Sequence, residues 1–107
     1  MDAQLKKGLL EIGILTALLP GDSYGYQIIK DVSGVVAISE STLYPILRRL
    51  ESATCLTVYT QEHSGRLRKY YHLTDMGREK IREFLDEWDQ MTAIHHFIEE
   101  GYGREQG

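Results

Sequence analysis

The sequence predicts a mainly α-helical protein with one two-stranded β-hairpin, in the order helix, helix, helix, strand, strand, helix. Apolar residues recur with helical spacing in four segments, 5–19, 24–32, 41–52 and 75–99. Two stretches rich in Val, Thr and Tyr, 55–60 and 69–73, alternate instead, as strands do. With 107 residues, 42% of them hydrophobic, the chain has enough apolar material for one domain with a modest core.

The first two helices are separated by a clear turn signal. Residues 5–19 are apolar on nearly every side, which is typical of a helix at the centre of a core. Pro20-Gly21-Asp22 ends this helix and forms a turn. Ser23 is the expected N-cap of a second helix from about Tyr24 to Val32.

The third helix is predicted from about Ser41 to Ser52. Its core face has the spacing i, i+3, i+4, i+7 and consists of Leu43, Ile46, Leu47 and Leu50. Pro45 is expected in the first turn of this helix, where a missing N–H costs least. Arg48 and Arg49 fall outside the apolar face.

A hairpin follows the third helix. Apolar residues alternate along the two strands, at Leu56, Val58, Tyr71 and Leu73. The residues between the strands, 61–68, are polar and include Ser64-Gly65. We therefore expect a long, flexible tip with a positive charge, on strands that must pack against the helices to be stable.

The last helix is predicted from Asp75, after Thr74 as its N-cap, to about Glu99. Residues 101–107 contain three glycines and are expected to form a flexible tail. The predicted units are therefore a folded part at 1–73, a helix at 74–100 and the tail at 101–107. Apolar residues at a/d spacing, with Leu85 beside them and His95 among them, form one stripe along this helix: Ile81, Phe84, Leu85, Trp88, Met91, His95 and Ile98.

This stripe predicts a homodimer. A helix of 25 residues is about 37 Å long, which exceeds what a core of this size can cover. Left in water, the stripe would be an unusually large apolar patch. Burial against a second copy removes the patch, with the first helix as a further contact surface, and the dimer would place two third helices about 34 Å apart, one turn of DNA.

The net charge of −4 is unevenly distributed. Residues 1–38 carry a net charge of −1, residues 39–73 of +2 and residues 74–107 of −5. A polyanion responds to the local field, which salt screens beyond about 10 Å. The acidic total therefore does not exclude nucleic acid as a partner.

Three helices followed by a hairpin is the order of a winged helix-turn-helix, and it predicts binding to double-stranded DNA. In that arrangement the third helix lies in a major groove and the hairpin, or wing, reaches a neighbouring groove or the backbone. Hydroxyls at the positive end of a helix suit phosphate, and arginines one turn later reach phosphate or guanine. The candidate DNA contacts are Ser39, Ser41, Thr42, Tyr44, Arg48, Arg49, Arg66, Arg68 and Lys69.

Most of these candidate contacts have an alternative interpretation. Ser39 and Ser41 also suit a role as helix caps. Tyr44 suits half-buried packing. Arg48, Arg49 and the cations of the wing suit ordinary solvated surface charges.

The sequence also resembles a known family, the PadR-like transcriptional regulators. The matching motifs are TLYPILRRLE at 42–51, RLRKYYHLT at 66–74 followed by Gly77, and YGY at 24–26. The resemblance covers about residues 5–99. It implies a dimeric winged-helix repressor that binds a palindromic operator and is released by a small effector. The short single C-terminal helix resembles the multidrug-sensing members.

Two positions depart from the pattern of the family. A glycine usually closes the third helix where Thr54 stands in this chain. The wing of the family usually reads GGRPRK, whereas Ser64 and Leu67 replace a glycine and the proline here. We expect these changes to alter the turn after the third helix and the stiffness of the wing.

Trp88 is the main candidate for contact with an effector, together with Met91 and Thr92 on the same helix. The resemblance implies that a tryptophan at this position stacks on planar aromatic compounds. The acidic neighbours of Trp88 are Asp86, Glu87 and Asp89. Their charge favours a cationic aromatic effector, and a phenolic effector remains the alternative. The alternative is that Trp88 only fills the dimer interface. The multidrug-sensing members have a second tryptophan on the strand, where this chain has Thr60. This difference counts against a site that binds many different drugs.

The remaining features indicate a cytoplasmic protein without membrane contact. The longest apolar run, Leu9–Leu19, is interrupted by Glu11 and Gly13 and is too short to cross a bilayer. The single cysteine, Cys55, fits a reducing compartment.

Neither an enzyme nor a metalloprotein is predicted. His95 and His96 are adjacent and point about 100° apart on a helix, so they cannot share a metal. No nucleophile with a base and no phosphate-binding glycine loop occurs, so we expect no cofactor and no catalysis. The main alternative function is a winged-helix protein-interaction module without sequence-specific DNA binding, which the overall acidity favours slightly.

Overall fold

A computed structural model that describes residues 1–107 has four helices and one antiparallel hairpin. This confirms the predicted fold class and order of elements. None of the helices is both long enough and apolar enough to cross a membrane. The elements are α1 (Ala3–Ala17), α2 (Gly25–Val32), α3 (Glu40–Ser52), β1 (Leu56–His63), β2 (Arg66–Leu73) and α4 (Asp75–Gln106).

The core lies between α1, α2, α3 and the base of the hairpin. The four predicted core residues of α3 are all buried, because they form one continuous stripe on that helix. In α1 only the C-terminal half enters the core, through Leu10, Ile14 and Leu15. The N-terminal half of α1 is largely exposed, so the prediction that this helix is central along its whole length is wrong.

The hairpin is longer and its turn tighter than predicted. Pairing continues to His63 opposite Arg66, and only Ser64 and Gly65 form the turn. Both have positive φ, 52° and 80°, as a two-residue hairpin turn of the favoured twist requires. The expected long unpaired tip at 61–68 is therefore wrong, because this turn lets the polar residues continue the backbone pairing.

The starts of α2 and α3 also differ from the prediction. Ser23 is not the N-cap of α2, because its backbone pairs with Tyr71 of β2 and Tyr24 takes the cap position. α3 begins at Glu40, which makes Pro45 its sixth residue. Pro45 therefore lies in the second turn, where its missing N–H leaves a carbonyl of the preceding turn without a helical partner.

The turn between α3 and β1 is closed by Thr54 with a φ of 60°. This is the left-handed conformation that glycine adopts without strain and a β-branched residue rarely adopts. The turn is held in place by Thr74, whose hydroxyl donates to the Thr54 carbonyl at 2.6 Å. The backbone form that a glycine would give is thus retained with threonine.

α4 begins as predicted and ends later than predicted. Thr74 caps it, since its Oγ1 accepts from the Gly77 N–H at 3.1 Å. The helix continues to Gln106 instead of ending near Glu99, so residues 101–106 are helical and not an irregular tail. Single glycines in a helix cost about 1 kcal/mol each and do not by themselves end it. With 32 residues, α4 extends far beyond the core and gives the molecule a long axis of 65 Å.

Candidate nucleic-acid interface

One exposed face of α3 carries polar and aromatic side chains. Ser41, Tyr44 and Arg48 share this face because residues three, four and seven apart lie above one another on a helix. Arg49 lies about 100° away around the helix. Its guanidinium contacts Glu11 of α1 at 2.8 Å, so the structure does not place Arg49 with the other candidate DNA contacts.

Three hydroxyls meet at the N-terminus of α3. Ser39 Oγ lies 3.0 Å from Ser41 Oγ and 3.2 Å from Thr42 Oγ1, and all three residues are exposed. Ser39 occupies the N-cap position of α3, as the alternative interpretation expected, but its side chain makes no capping hydrogen bond to the backbone. The first N–H groups of a helix have no intrahelical partner and carry the positive end of its dipole. This end of α3 therefore combines free donors with short polar side chains.

Tyr44 connects the exposed face of α3 to α2. A Cβ atom at Gly25 would lie only 3.0 Å from Tyr44 Cζ and closer still to its hydroxyl, so the ring rests directly on the Gly25 backbone. The side chain is nevertheless 38% exposed. Tyr44 therefore packs and faces solvent at the same time, and glycine at position 25 is what permits this.

The three cations of the wing lie on two faces of the hairpin. Side chains alternate along β2, so Arg66 and Arg68 share one face and Lys69 lies on the other with Tyr71. The face of Lys69 is the one whose basal residues pack into the core, where β1 also contacts α3. The predicted basic tip thus carries its cations on both faces of a paired ribbon.

Arg68 is held by an aromatic cluster that sequence reasoning missed. Its guanidinium carbon lies 3.9 Å from the centroid of the Tyr24 ring. Tyr24 meets Tyr70 edge-on at 5.8 Å, and Tyr70 stacks on Tyr59 at 5.5 Å. The sequence does place Tyr59 and Tyr70 on the two predicted strands. Whether they lie opposite each other depends on the strand register, which the turn at 64–65 sets.

Asp22, in the turn before α2, fixes the base of the same face. Its carboxylate accepts from the Tyr59 hydroxyl at 2.7 Å and lies 2.7 Å from His72 Nδ1. These hydrogen bonds, that of Tyr59 first, lower the pKa of Asp22 below its ordinary value. The same bond to Asp22 raises the pKa of Tyr59. The wing is thereby connected to the start of α2 as well as to α3.

The effector candidates lie on α4, and the structure separates them. Met91 lines a groove of about 370 Å³ between α1 and α4, together with Leu9, Ile12 and Phe84. Trp88 is 46% exposed outside this groove, with its ring centroid 6.0 Å from that of Phe84. The Thr92 hydroxyl donates to the Trp88 carbonyl at 3.0 Å within the helix.

The candidate dimer residues follow the exposed side of α4. Ile81 and Phe84 are partly buried, whereas the rest of the predicted stripe, from Leu85 to Ile98, is exposed. Sequence reasoning missed further exposed apolar residues near the C-terminal end of α4. These residues are Ile94, Phe97 and Tyr102, of which Phe97 is 73% exposed.

No three His, Cys, Asp or Glu side chains lie close enough together to hold a metal ion. Cys55 is buried in the core.

The fold and this surface together define a winged-helix DNA-binding protein: α3 presents an exposed polar face beside a hairpin with cations on both faces. The chain belongs to the PadR-like family of transcriptional regulators, whose family model matches residues 14–83. It is accordingly a DNA-binding regulator of transcription.

Individual relatives are similar to this chain over nearly its whole length. A crystal structure of a Streptococcus mutans protein is 46% identical with a TM-score of 0.77, over 89% of this chain and 90% of that one. A PadR-like transcriptional regulator from Bacillus cereus is 31% identical with a TM-score of 0.75, over 90% and 96%. A Lysinibacillus sphaericus protein is 34% identical over 100 residues, which is 89% of this chain and 92% of the relative.

Proposed function

We propose that the protein is a homodimeric repressor that binds a palindromic operator and responds to a small aromatic effector in the cytoplasm. The main observation that supports DNA binding is the group of three hydroxyls at the N-terminus of α3. The exposed face of the same helix continues to Arg48. In a major groove this end of α3 meets phosphate, and Arg48, two turns further on, reaches a base edge or a second phosphate. The wing supplies sequence-independent phosphate contacts on either side.

The dimer is supported by the exposed apolar stripe of α4. α4 packs mainly against α1, and its C-terminal half extends beyond the core with Ile94, Phe97 and Ile98 exposed. A contiguous apolar surface of this kind on a soluble protein usually marks an interface. A second copy is also the occupant that fits the proposed palindromic operator, because two-fold symmetry in the protein would match two-fold symmetry in the DNA.

The wing is tested by combining Arg66→Ala with Lys69→Ala, one cation from each face. We expect weaker binding to every duplex and a salt dependence, the slope of log K against log salt, that is smaller by about 2, since each phosphate contact contributes about 0.9. Fluorescence anisotropy with a duplex from the promoter of the protein's own gene, across a salt series, measures both. The matched control combines Arg82→Ala with Arg104→Ala, which removes two cations from α4.

Two results would contradict this picture. An unchanged slope in the double variant would remove the wing from the interface. If the wild-type chain binds no duplex even at low salt, the protein-interaction module becomes the better explanation, and co-purification of a protein partner would then support it.

The effector is expected to be an aromatic cation. The groove between α1 and α4 combines apolar side chains with Glu11, Glu83 and Glu87, against a single cation, Lys80. This lining attracts a positive charge and repels the anion of a phenolic acid. Trp88 stands beside the groove next to Phe84, where it can stack on a planar ring.

Trp88 is the only tryptophan of the chain, so its fluorescence reports directly on this region. We expect ethidium to quench the emission in a saturable manner and p-coumarate to leave it unchanged. Glu83→Gln combined with Glu87→Gln should weaken the effect of ethidium by reducing the negative charge of the groove. Should neither compound change the emission, the assignment of Trp88 to an effector site is wrong.

A further inference from the structure

The carboxylate of Glu11 connects three helices. Glu11 belongs to α1, and its Oε1 accepts from Arg49 Nη2 of α3 at 2.8 Å and from Arg49 Nε at 3.3 Å. Its other oxygen, Oε2, lies 3.5 Å from Lys80 Nζ of α4. One side chain of α1 therefore holds a cation from the helix that faces DNA and a cation from the helix that carries the apolar stripe.

This link adds a charged contact between two parts of the fold whose main packing partners differ. α3 packs mainly against α2 and β1, whereas α4 packs mainly against α1. The ion cluster is a direct side-chain connection between α3 and the α1–α4 pair. Its position also matters for a ligand, because Glu11 and Lys80 both line the groove between α1 and α4.

The cluster is sheltered enough to have a defined geometry. The Glu11 side chain is only 18% exposed, less than either of its partners. Partial burial alone would raise the pKa of Glu11, but the hydrogen bond from Arg49 and the charge of Lys80 outweigh it, and the pKa lies below its ordinary value. The carboxylate is therefore ionised at neutral pH, and Arg49 offers two N–H groups of a rigid plane to a single oxygen.

We propose that Glu11 is a positioning residue that fixes the orientation of α3 relative to α4 and so transmits the state of the dimer and groove to the DNA-binding face. This inference rests on the proposed function. In the dimer, α4 sets the distance between the two copies, and the Glu11 cluster sets how each α3 is held on that frame. A ligand cation in the groove competes for the same carboxylate and loosens Arg49.

The test uses Glu11→Gln, which keeps the size of the side chain and removes its charge. Loss of a negative charge ordinarily strengthens binding to DNA. If Glu11 positions α3, Glu11→Gln instead weakens binding of the promoter duplex about fivefold or more, with an unchanged salt slope, because Glu11 touches no phosphate. Glu100→Gln is the matched control: it removes the same charge from an exposed position on α4 outside the groove, and should not weaken binding.

A second pair of variants isolates the contact. Once Arg49→Gln has removed the partner, adding Glu11→Gln should weaken binding no further, and Arg49→Lys should retain more affinity than Arg49→Gln. If Glu11→Gln fails to fold by circular dichroism, Lys80→Gln replaces it and is compared with Arg82→Gln, whose ion pairs stay within α4. Lys80→Gln should then weaken binding more than Arg82→Gln does.

The outcomes separate this inference from the function on which it rests. If the wild-type chain binds the duplex and Glu11→Gln binds as tightly as Glu100→Gln, the positioning role is overturned and the DNA-binding function stands. The same holds if Lys80→Gln must be used and behaves like Arg82→Gln. Absence of binding by the wild-type chain overturns both.

Discussion

Replacing Gly77 with alanine is expected to lower the free energy of unfolding by about 3 kcal/mol or more, a large part of the total for a domain of this size. An added Cβ would lie 2.6 Å from Leu73 Cδ1 and closer still to the carbonyl oxygen of Cys55. The side chain of Leu73 can move, but the carbonyl cannot, because it accepts from the Thr74 N–H at 3.2 Å in the turn that starts α4. The alanine therefore pushes the first turn of α4 away from β1.

Urea denaturation monitored by circular dichroism measures this loss. Gly103→Ala is the matched control, since it makes the same change in the same helix where no atom lies within 4 Å of the new Cβ. It should leave the stability unchanged or raise it by up to about 1 kcal/mol, because alanine is the better helix former. Equal stabilities for the two variants would show that the close approach at Gly77 is not a constraint.

The fold class was predictable because periodic patterns report burial directly. The stripe of Leu43, Ile46, Leu47 and Leu50 determined both the existence of α3 and the face that it buries. The alternation around Val58 and Tyr71 likewise determined the base of the hairpin. In each case the apolar pattern marks the residues that contact the core, and the structure places the core on those faces.

The details that failed are those set by tertiary or turn geometry. The polar residues 61–63 and 66–68 carry no apolar alternation, yet they pair because the Ser64-Gly65 turn aligns the two strands. Ser23 has the composition of a cap, but its backbone is taken by Tyr71. Polarity alone did not distinguish paired strand residues from a loop. Nor did it distinguish a helix N-cap from a residue whose backbone pairs with a strand.

The candidate site was predictable by residue type and less so by direction. Arg48 and Arg49 are neighbours with the same chemistry, but they point about 100° apart around α3. Arg48 faces solvent, whereas Arg49 reaches Glu11 and forms an ion pair within the fold. The aromatic cluster around Arg68 required the strand register before it could be seen. Sequence spacing thus supplies candidates, and packing decides which of them can meet DNA.

These assignments together explain how an acidic chain can bind a polyanion. Nine acidic residues lie on α4, and some of them pair with cations of the same helix, as Asp86 does with Arg82 at 2.7 Å. The local excess of positive charge stays at 39–73. Because that excess is small, we expect strong binding to depend on the proposed dimer.

Introducing a charge into the stripe of α4 is therefore expected to have the largest effect on DNA binding. Met91→Glu places one carboxylate from each copy in an apolar interface, where neither is paired, and burying an unpaired charge costs several kcal/mol. The dimer should dissociate at micromolar concentration. Each monomer then binds a single half-site without the effective concentration that its partner provides, and affinity for a palindromic duplex should fall about a hundredfold or more.

Sedimentation equilibrium gives the state of association, and anisotropy with a full and a half operator gives the two affinities. His96→Glu is the matched control, because it adds the same charge five residues away, about 140° around α4 from Met91, at an exposed position. It should remain dimeric and bind the full site normally. Met91→Glu should bind the half-site as well as the wild type does, since α3 and the wing are untouched. A monomeric wild type, or a Met91→Glu variant that stays dimeric, would show that the α4 stripe is covered by something other than a second copy of this chain.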